Sequence, residues 1–436
     1  MFEQVCRKRV NVIITLRSSA QKSHTILLRS GWQTVNIGDI AHTPGMLRLL
    51  EEHLPDVSVI LWANALDRGV DEMLRRRFPN LRVVRDAPRW TNPRPQPGDP
   101  TLEEAMQESD LLLHGSGASV QAADLDLWSR RTSKPYGLFG VTLGCPVGST
   151  NPEPVFSAQT IRVLNNAGFI FARETRSLAA VRQLRLDCPN IDFVPDATFA
   201  LDLANEEAAQ RLLRDFDLEP DRFICVIPRL RFTPYWEIYP DRPVDPEETA
   251  RKQAVNAGYM EVDFAKLRRV VTEWVRATRL KVLLCPEMTY QVELARRAVF
   301  DALPADVKPH VVCLDRYWLT DEAVSVYRRA RAVVSMECHS PIMAATVGRL
   351  GVYLRQSTDT WKGQMFPDLG LDDWLIQLDT AEGGEIAARL LHTHNRYSEA
   401  VSQASTAVST ANGLFRRALR VIAAILGESR ASANPR

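Results

Sequence analysis

Apolar residues along the chain fall into two alternating patterns. Short runs such as His24–Leu28, Val57–Trp62, Leu81–Val84, Leu111–Leu113, Tyr136–Phe139, Phe169–Phe171 and Asp192–Val194 have the length and composition of buried strands. Between them the spacing turns helical. One helix is expected to start at Thr43, with Pro44 at its first position and Leu47, Leu50 and Leu54 on one face; another covers Val70–Phe78. A second series of strands opens at Phe223–Ile227, runs through Lys281–Cys285 and Val311–Leu314, and ends with Ala332–Met336 and Gly351–Arg355. Asp263–Arg279 lies between them as a helix with Phe264, Leu267, Val270, Val271 and Trp274 on one side. Strands separated by helices predict parallel, doubly wound sheets, hence an α/β protein of two Rossmann-like domains. The break falls near 203–222, where the charged helix Asn205–Asp217 runs into Leu218-Glu-Pro-Asp221. The expected organisation is a first domain over 1–210, a second over 211–395, and a helix over 396–426 that crosses back to brace the first. Its amphipathic part is Ala400–Leu426, and a disordered tail is expected over 427–436.

Composition narrows the function classes. A chain of 436 residues has room for two cores of ordinary size. With 54 Lys and Arg against 53 Asp and Glu, the net charge of +1 gives no field for nucleic acid or an acidic membrane surface. The seven cysteines, at 6, 145, 188, 225, 285, 313 and 338, form no C-x-x-C pair and no Cys/His cluster. That pattern points to buried free thiols in a reducing compartment and to no metal centre. No apolar run reaches the length of a transmembrane segment, and Val10–Leu16 is too short for a signal core, so a cytoplasmic location is expected. Thr91–Pro100, with four prolines, reads as a surface loop. Nothing in the sequence sets the oligomeric state.

Candidate chemistry concentrates where strands end. After the strand Ala332–Met336, Ser340 reads as an N-cap, Pro341 as the first helical residue and Gly348 as the closing residue. His339 then sits in the turn just before a helix N-terminus, where free N–H groups and the helix dipole favour a phosphate or carboxylate. A loop histidine in an ordinary βα unit has the same local pattern. Arg229 follows the strand Phe223–Ile227 and is placed to grip an anion bidentately, with Arg231 two residues on. Arg173 follows Phe169–Ala172; it either faces the cleft or pairs with Glu174 or Asp196 as scaffolding. Asn36 and Asp39 flank Gly38 in a polar turn, and Asp39 either ties that loop together or contacts a ligand hydroxyl. His114-Gly-Ser116-Gly117 brings backbone and Ser116 close to a ligand. The aromatic group Phe232, Tyr235, Trp236 and Tyr239 suits a sugar ring or its own packing equally.

Several of these segments, taken in order, resemble the polysaccharide pyruvyl transferase family. Asn36-Ile-Gly-Asp39 is similar to its Asn-x-Gly-Asp loop, and Asp110-Leu-Leu-Leu-His-Gly-Ser-Gly117 to the strand and turn that come next. Gly140-Val-Thr-Leu-Gly-Cys-Pro146 resembles the Ser-Ile-Gly-Pro turn. Arg173-Glu-Thr-Arg-Ser177 with Pro195-Asp-Ala-Thr-Phe-Ala-Leu201 resembles the Arg-x-x-x-Ser and Asp-x-x-Phe-x-Leu pair. Glu337-Cys-His-Ser340, the strand Gly351–Arg355 and Lys362 resemble the C-terminal signature Ser-x-Arg-x-His-(Ser/Ala) and its later lysine. The resemblance implies two domains facing a cleft, the GT-B architecture. It also implies transfer of the pyruvyl group of phosphoenolpyruvate onto two hydroxyls of a glycan sugar as a cyclic ketal, with release of phosphate, in exopolysaccharide or cell-envelope synthesis. Phosphoenolpyruvate would be co-substrate, with no metal and no further cofactor. The acceptor would be a glycan or a lipid-linked sugar, the latter implying peripheral contact with a membrane. By the same resemblance Arg229 holds the donor and His339 binds its phosphate or acts as general acid. Arg173, Asn36, Asp39, Ser116, Glu337 and Lys362 contact substrates. Two positions depart from the pattern: Glu287 stands where relatives often have histidine, and Glu337 where they have arginine. Glu337 is expected to turn inward and orient Arg229, Arg355 or His339. It also leaves room for two rivals, a nucleotide-sugar glycosyltransferase of the same fold and a non-catalytic sugar-binding homologue. The first of these lacks its Glu-x₇-Glu-like motif between 337 and 365.

Overall fold

Burial on both faces is what lets a strand read as an unbroken apolar run, and the runs of this chain sort into two separate parallel sheets. The structure, a computed structural model, describes residues 24–84, 96–145 and 153–433, with side chains described as far as 428. The segment Val10–Leu16 and the first half of the proline-rich stretch lie outside the described residues. In the first sheet the strands are β1 (His24–Ser30), β2 (Val57–Ala63), β3 (Arg82–Val83), β4 (Leu111–His114), β5 (Tyr136–Val141), β6 (Phe169–Ala172) and β7 (Ile191–Phe193). Their order is β3-β2-β1-β4-β5-β6-β7. The second sheet holds β8 (Phe223–Ile227), β9 (Lys281–Leu284), β10 (Val311–Cys313), β11 (Ala332–Ser335), β12 (Leu350–Arg355) and β13 (Leu375–Gln377), in the order β10-β9-β8-β11-β12-β13. Each sheet reverses its winding direction once, between β1 and β4 and between β8 and β11. Ligands of doubly wound sheets sit outside the strand ends at such points.

Five helices frame those strand ends: α1 (Ile37–His53), α2 (Glu206–Asp215), α3 (Pro246–Thr278), α4 (His339–Thr346) and α5 (Tyr397–Ala433). Three differ from the sequence expectation. The first starts at Ile37 rather than after Thr43. Asn36 caps it, accepting from the Gly38 and Asp39 N–H groups, while the Thr43 hydroxyl bonds Ser30 Oγ at 2.8 Å and Gly31 N at 3.0 Å. Pro44 therefore lies inside the helix and forfeits one of its hydrogen bonds. The helix α3 begins well before Asp263, with Asp245 as its cap and Pro246 at N1; its first half is mostly exposed and polar, so only the second half shows apolar periodicity. Finally, α5 continues to Ala433, seven residues into the stretch 427–436 expected to be disordered. That stretch contains Ala431 and Ala433 and no proline before 435, so nothing in it stops a helix.

The two sheets share a core. One apolar cluster runs from Ile26 and Leu28 through Ile37 and Ile40 into Val226, Leu283 and Ile342 of the second domain. On α5, Ala404, Ala407, Ala411, Phe415, Ala418 and Ile422 are buried at steps of three or four residues. Phe415 stacks on Phe139 of the first sheet at 5.9 Å. Backbone closes the seam as well. Ile37 N donates to Glu287 O at 2.9 Å, Thr289 N to Val35 O at 3.0 Å, and Thr320 Oγ1 to Ile37 O at 2.8 Å.

Close packing at this seam reverses a usual rule. Gly to Ala inside a helix normally stabilises by about 1 kcal/mol. In α1, however, a Cβ on Gly45 would collide with the Ala197 carbonyl, whose carbon lies 2.8 Å from it. Gly45→Ala is expected to destabilise by roughly 1–3 kcal/mol, measured as a lower midpoint in chemical denaturation.

Candidate active site

The loops leaving β1, β4, β6, β8, β9, β11 and β12 meet at the domain seam and enclose a chamber of about 270 Å³. Its wall includes Arg173, Arg229, Arg231, Lys252, Lys362 and His339 as cationic groups, against the carboxylates of Asp39, Glu337 and Asp359. Of the residues singled out in the sequence, Asn36, Asp39, Arg173, Arg229, Glu337, His339 and Lys362 all line this one space. Ser116 does not. It lies beneath the wall, fully buried, with its hydroxyl 2.7 Å from His42 Nδ1 and 3.4 Å from Asp196 Oδ1.

The floor is organised by Asp196, which nothing in the apolar pattern singled out. Its carboxylate accepts from Thr198 N at 2.9 Å, Thr198 Oγ1 at 2.8 Å and Arg173 Nη1 at 3.0 Å. His42 Nδ1 stands 2.7 Å away and His339 Nε2, from the other domain, 3.6 Å away. Burial alone would raise the Asp196 pKa, but His42 and His339 hold it well below the usual carboxylate range. His339 is placed the opposite way. Burial disfavours its charge, yet Asp196 on one side and Glu287 Oε1, 3.5 Å from Nδ1, on the other lift it to about 9. The ring is therefore an imidazolium at neutral pH, locked between carboxylates of both domains. Gly38 is required here, because a Cβ at that position would overlap the His339 ring.

The expected N-terminal anion site takes a different form. His339 is itself the first residue of α4, preceded by Cys338, and Ser340 does not cap the helix. Instead the Ser340 N–H and hydroxyl both donate to Glu287 Oε2, at 2.8 and 2.6 Å. A carboxylate of the protein thus occupies the place where free N–H groups would otherwise bind an anion. Glu287, a departure from the family pattern, is the internal anion of this helix.

Arg229 is fixed as expected, though by two acids. It bonds Asp359, and its Nε lies 3.2 Å from Glu337 Oε1 without hydrogen-bond alignment. Glu337 Oε1 also accepts from Gln291 Nε2 at 3.0 Å, and Lys362 Nζ stands 3.9 Å from Oε2. Burial pushes the Glu337 carboxyl up to about 7 in spite of Arg229. Arg355 is not its partner; it reaches Gln377 at 3.1 Å and the carbonyls of Asp359 and Thr360. Arg173 combines both readings made of it. Nη1 is tied to Asp196 and Nε to Thr142 Oγ1 at 2.6 Å, but Nη2 is buried without a partner among the described residues. The Thr360 hydroxyl, on the same chamber wall, is also buried and unpartnered.

A second, larger space of about 580 Å³ opens beside the first and shares Asp39, Ala118 and Tyr235 with it. Trp32, Gln33, Asn64, Gln121 and Tyr239 line it. It is mostly aromatic and amide, with Arg242 and Asp39 as its charged residues. Tyr235 and Tyr239 stack at 6.2 Å, so the aromatic group found in the sequence serves both its own packing and a cavity wall.

Sequence reasoning missed His42 and Gln291, and gave Asp359 no role of its own. His42 follows Asp39 by three residues, which places both on one face of α1, but starting that helix at Thr43 hid the relation. His42, Asp196 and His339 offer ligand atoms within 4.8 Å of one another. The Arg173 guanidinium on the same carboxylate opposes a metal cation there, and the group reads as an ion-pair hub. Among the described residues no helix is long and apolar enough to cross a membrane.

A family model described as polysaccharide pyruvyl transferase matches residues 36–354. No curated protein matches the chain. Among solved structures, the UDP-GlcNAc 2-epimerase of Neisseria meningitidis is similar at 10% identity and TM-score 0.53, covering 91% of this chain and 99% of its own. That of Methanocaldococcus jannaschii has 11% identity and TM-score 0.53, with coverages of 84% and 92%. Anabaena HepE, solved with UDP and glucose, has 12% identity and TM-score 0.50, with coverages of 94% and 99%. At these identities the likeness speaks for the two-domain GT-B fold alone.

The hub makes stability depend on pH with a definite sign. His339 is raised from 6.5 to about 9, so its contribution is complete below pH 6.5 and is lost as pH rises through 9. Glu337 and Glu174, each raised from 4.5 to about 7, add losses of the same sign at lower pH. Asp196 is depressed, so its contribution is constant over this range. The melting temperature is expected to fall between pH 6.5 and 9, with His339 accounting for about 3 kcal/mol. His339→Gln should flatten most of that decline in a calorimetric pH series.

Proposed function

Because the chain belongs to the polysaccharide pyruvyl transferase family, we propose that it moves the pyruvyl group of phosphoenolpyruvate onto two hydroxyls of a sugar, forming a cyclic ketal and releasing phosphate. The observation that carries this reading is a group of buried side-chain atoms without hydrogen-bond partners among the described residues, Arg173 Nη2, Arg229 Nε, Thr360 Oγ1 and both ring nitrogens of His339, on the wall of a chamber rich in cations. Unsatisfied buried donors cost free energy that an anionic ligand returns. The chamber's volume suits a donor of about ten heavy atoms better than a nucleotide-sugar.

In this reading Arg173, Lys362 and Thr360 hold the phosphate and carboxylate. Arg229 supplies a fixed positive charge, and the imidazolium of His339 adds another at the floor. The acceptor sugar occupies the larger space, where Trp32 and the tyrosines offer apolar faces and Gln33, Asn64 and Gln121 offer hydrogen bonds. Asp39, on the wall common to both spaces, takes a proton from an attacking hydroxyl. The acceptor's charge matches the lining: an uncharged ring, with Arg242 beside it for a glycan or diphosphate-linked carrier.

The test is titration calorimetry and thermal shift with phosphoenolpyruvate and, in parallel, UDP-sugars, followed by phosphate release on adding diol-bearing sugars. Phosphoenolpyruvate at 100 times its Kd is expected to stabilise the fold by roughly 2.7 kcal/mol. Stabilisation by UDP-sugars alone would transfer the chain to the glycosyltransferase reading. Neither ligand binding would favour a non-catalytic homologue.

Lys362 gives the sharper check, since among the described residues its ammonium is held by carboxylates no nearer than 3.9 and 4.0 Å. Lys362→Met is expected to weaken phosphoenolpyruvate binding by about 1.5–3 kcal/mol, read by calorimetry, with little change in melting temperature.

A further inference from the structure

Resting on that reading, we propose that Glu337 is the acid that delivers a proton to the methylene carbon of the donor. The position carries arginine in the family pattern, and a charge reversal in a donor site otherwise calls for a lost activity. The geometry around Glu337 gives it a role instead.

Its two oxygens differ. Oε1 receives the Gln291 amide at 3.0 Å and faces Arg229 Nε at 3.2 Å. Gln291 is itself fixed, because its Oε1 accepts from Glu287 N at 2.7 Å and Met288 N at 2.9 Å. With donors gathered on Oε1, a proton on this carboxyl belongs on Oε2. That atom lies 3.9 Å from Lys362 Nζ, and both residues line the donor chamber. The groups facing Glu337 are Arg229 beyond β8, Glu287 and Tyr290 beyond β9, and Asp359 and Lys362 beyond β12. Burial outweighs the cations among them and pushes the carboxyl up to about 7, towards the range in which an acid both carries and gives up a proton.

The other candidates point elsewhere. Both nitrogens of His339 stand beside carboxylates, Asp196 at 3.6 Å and Glu287 at 3.5 Å, which retain its proton rather than release it. Asp359 has Oδ1 on Arg229 and Oδ2 under the Tyr353 hydroxyl at 2.6 Å, which keep it ionised. Burial raises the Tyr235 phenol well above its ordinary range. Of the two carboxyls beside Arg229, Glu337 is the one with an oxygen, Oε2, that accepts no hydrogen bond among the described residues and faces Lys362 at 3.9 Å. As a neutral acid it also does not repel a trianionic donor.

The step balances. The donor's C=C electron pair takes the proton from Glu337, the methylene becomes methyl, and positive charge develops on C2. The first acceptor oxygen bonds C2, and its proton passes to Asp39. The second acceptor oxygen then displaces the phosphate as the C–O bond breaks, and that hydroxyl's proton leaves on phosphate. Solvent reloads Glu337 and unloads Asp39.

Binding of a trianion near a carboxyl raised to about 7 draws a proton onto it. Calorimetry of phosphoenolpyruvate binding at pH 8, in buffers of different ionisation enthalpy, is expected to show uptake of close to one proton by the wild-type protein. Glu337→Gln should abolish uptake, retain or tighten phosphoenolpyruvate binding, and lower kcat by roughly 10²–10⁴-fold. Glu337→Asp should keep the uptake and recover part of the rate. Wild-type binding without proton uptake overturns the assignment whatever the variants do. So does Glu337→Gln turning over within about tenfold of wild type. A wild-type protein that binds no phosphoenolpyruvate overturns the donor reading itself, and the acid with it.

Discussion

A single buried carboxylate, Asp196, holds this molecule's working parts together. It is fully enclosed, which costs several kcal/mol for an isolated charge, and it survives as an anion because Arg173, His339 and His42 converge on it. Two of them, His42 and Arg173, belong to the first domain, and His339 belongs to the second. Charge balance therefore adds an electrostatic tie between the domains to the shared core and the backbone bonds of the seam. The same balance fixes Arg173 with one donor free and His339 with its proton retained. Loss of Asp196 would disturb seam, floor and donor wall together.

Above this floor the protein alternates charge rather than accumulating one sign. Glu287 caps α4 from within, Asp359 and Glu337 flank Arg229, and Lys362 stands just beyond both acids. Fixed cations that already have counter-charges are rigid, so little reorganisation is needed when a ligand arrives. Buried ion pairs of this kind add little net stability. Their value lies in position, and it matches a chamber whose free donors are few and definite.

Much of the fold was legible because strands covered on both faces have no polar alternation to confuse them. Every strand expected in the two series appears, each within a residue or two of its expected ends, but the second series does not end at β12 as expected: the short β13 extends it. The rule that ligands gather beyond strand ends at winding reversals selected Arg229, Arg173 and His339, and all three line one space. The failures share a cause: partners far away in the sequence. Asn36 caps α1 because the preceding loop pairs with Glu287–Thr289 of the other domain. Ser340 fails to cap α4 because Glu287 arrives from another loop. Ser116 turns inward because His42 and Asp196 are there to receive it. Local propensity contains none of these partners, and the polar first half of α3 shows that a helix without an apolar face leaves no period to read.

The backbone pairing of Val35–Ile37 with Glu287–Thr289 has a mechanical meaning. Two lobes that are laced by main-chain bonds and filled by one apolar core cannot swing apart like a jaw without unfolding part of that lacing. Access must instead run along the seam with the lobes held together, the smaller chamber lying at the lacing itself, between Asn36 and Met288, and the wider space opening next to it beside Trp32 and Tyr239.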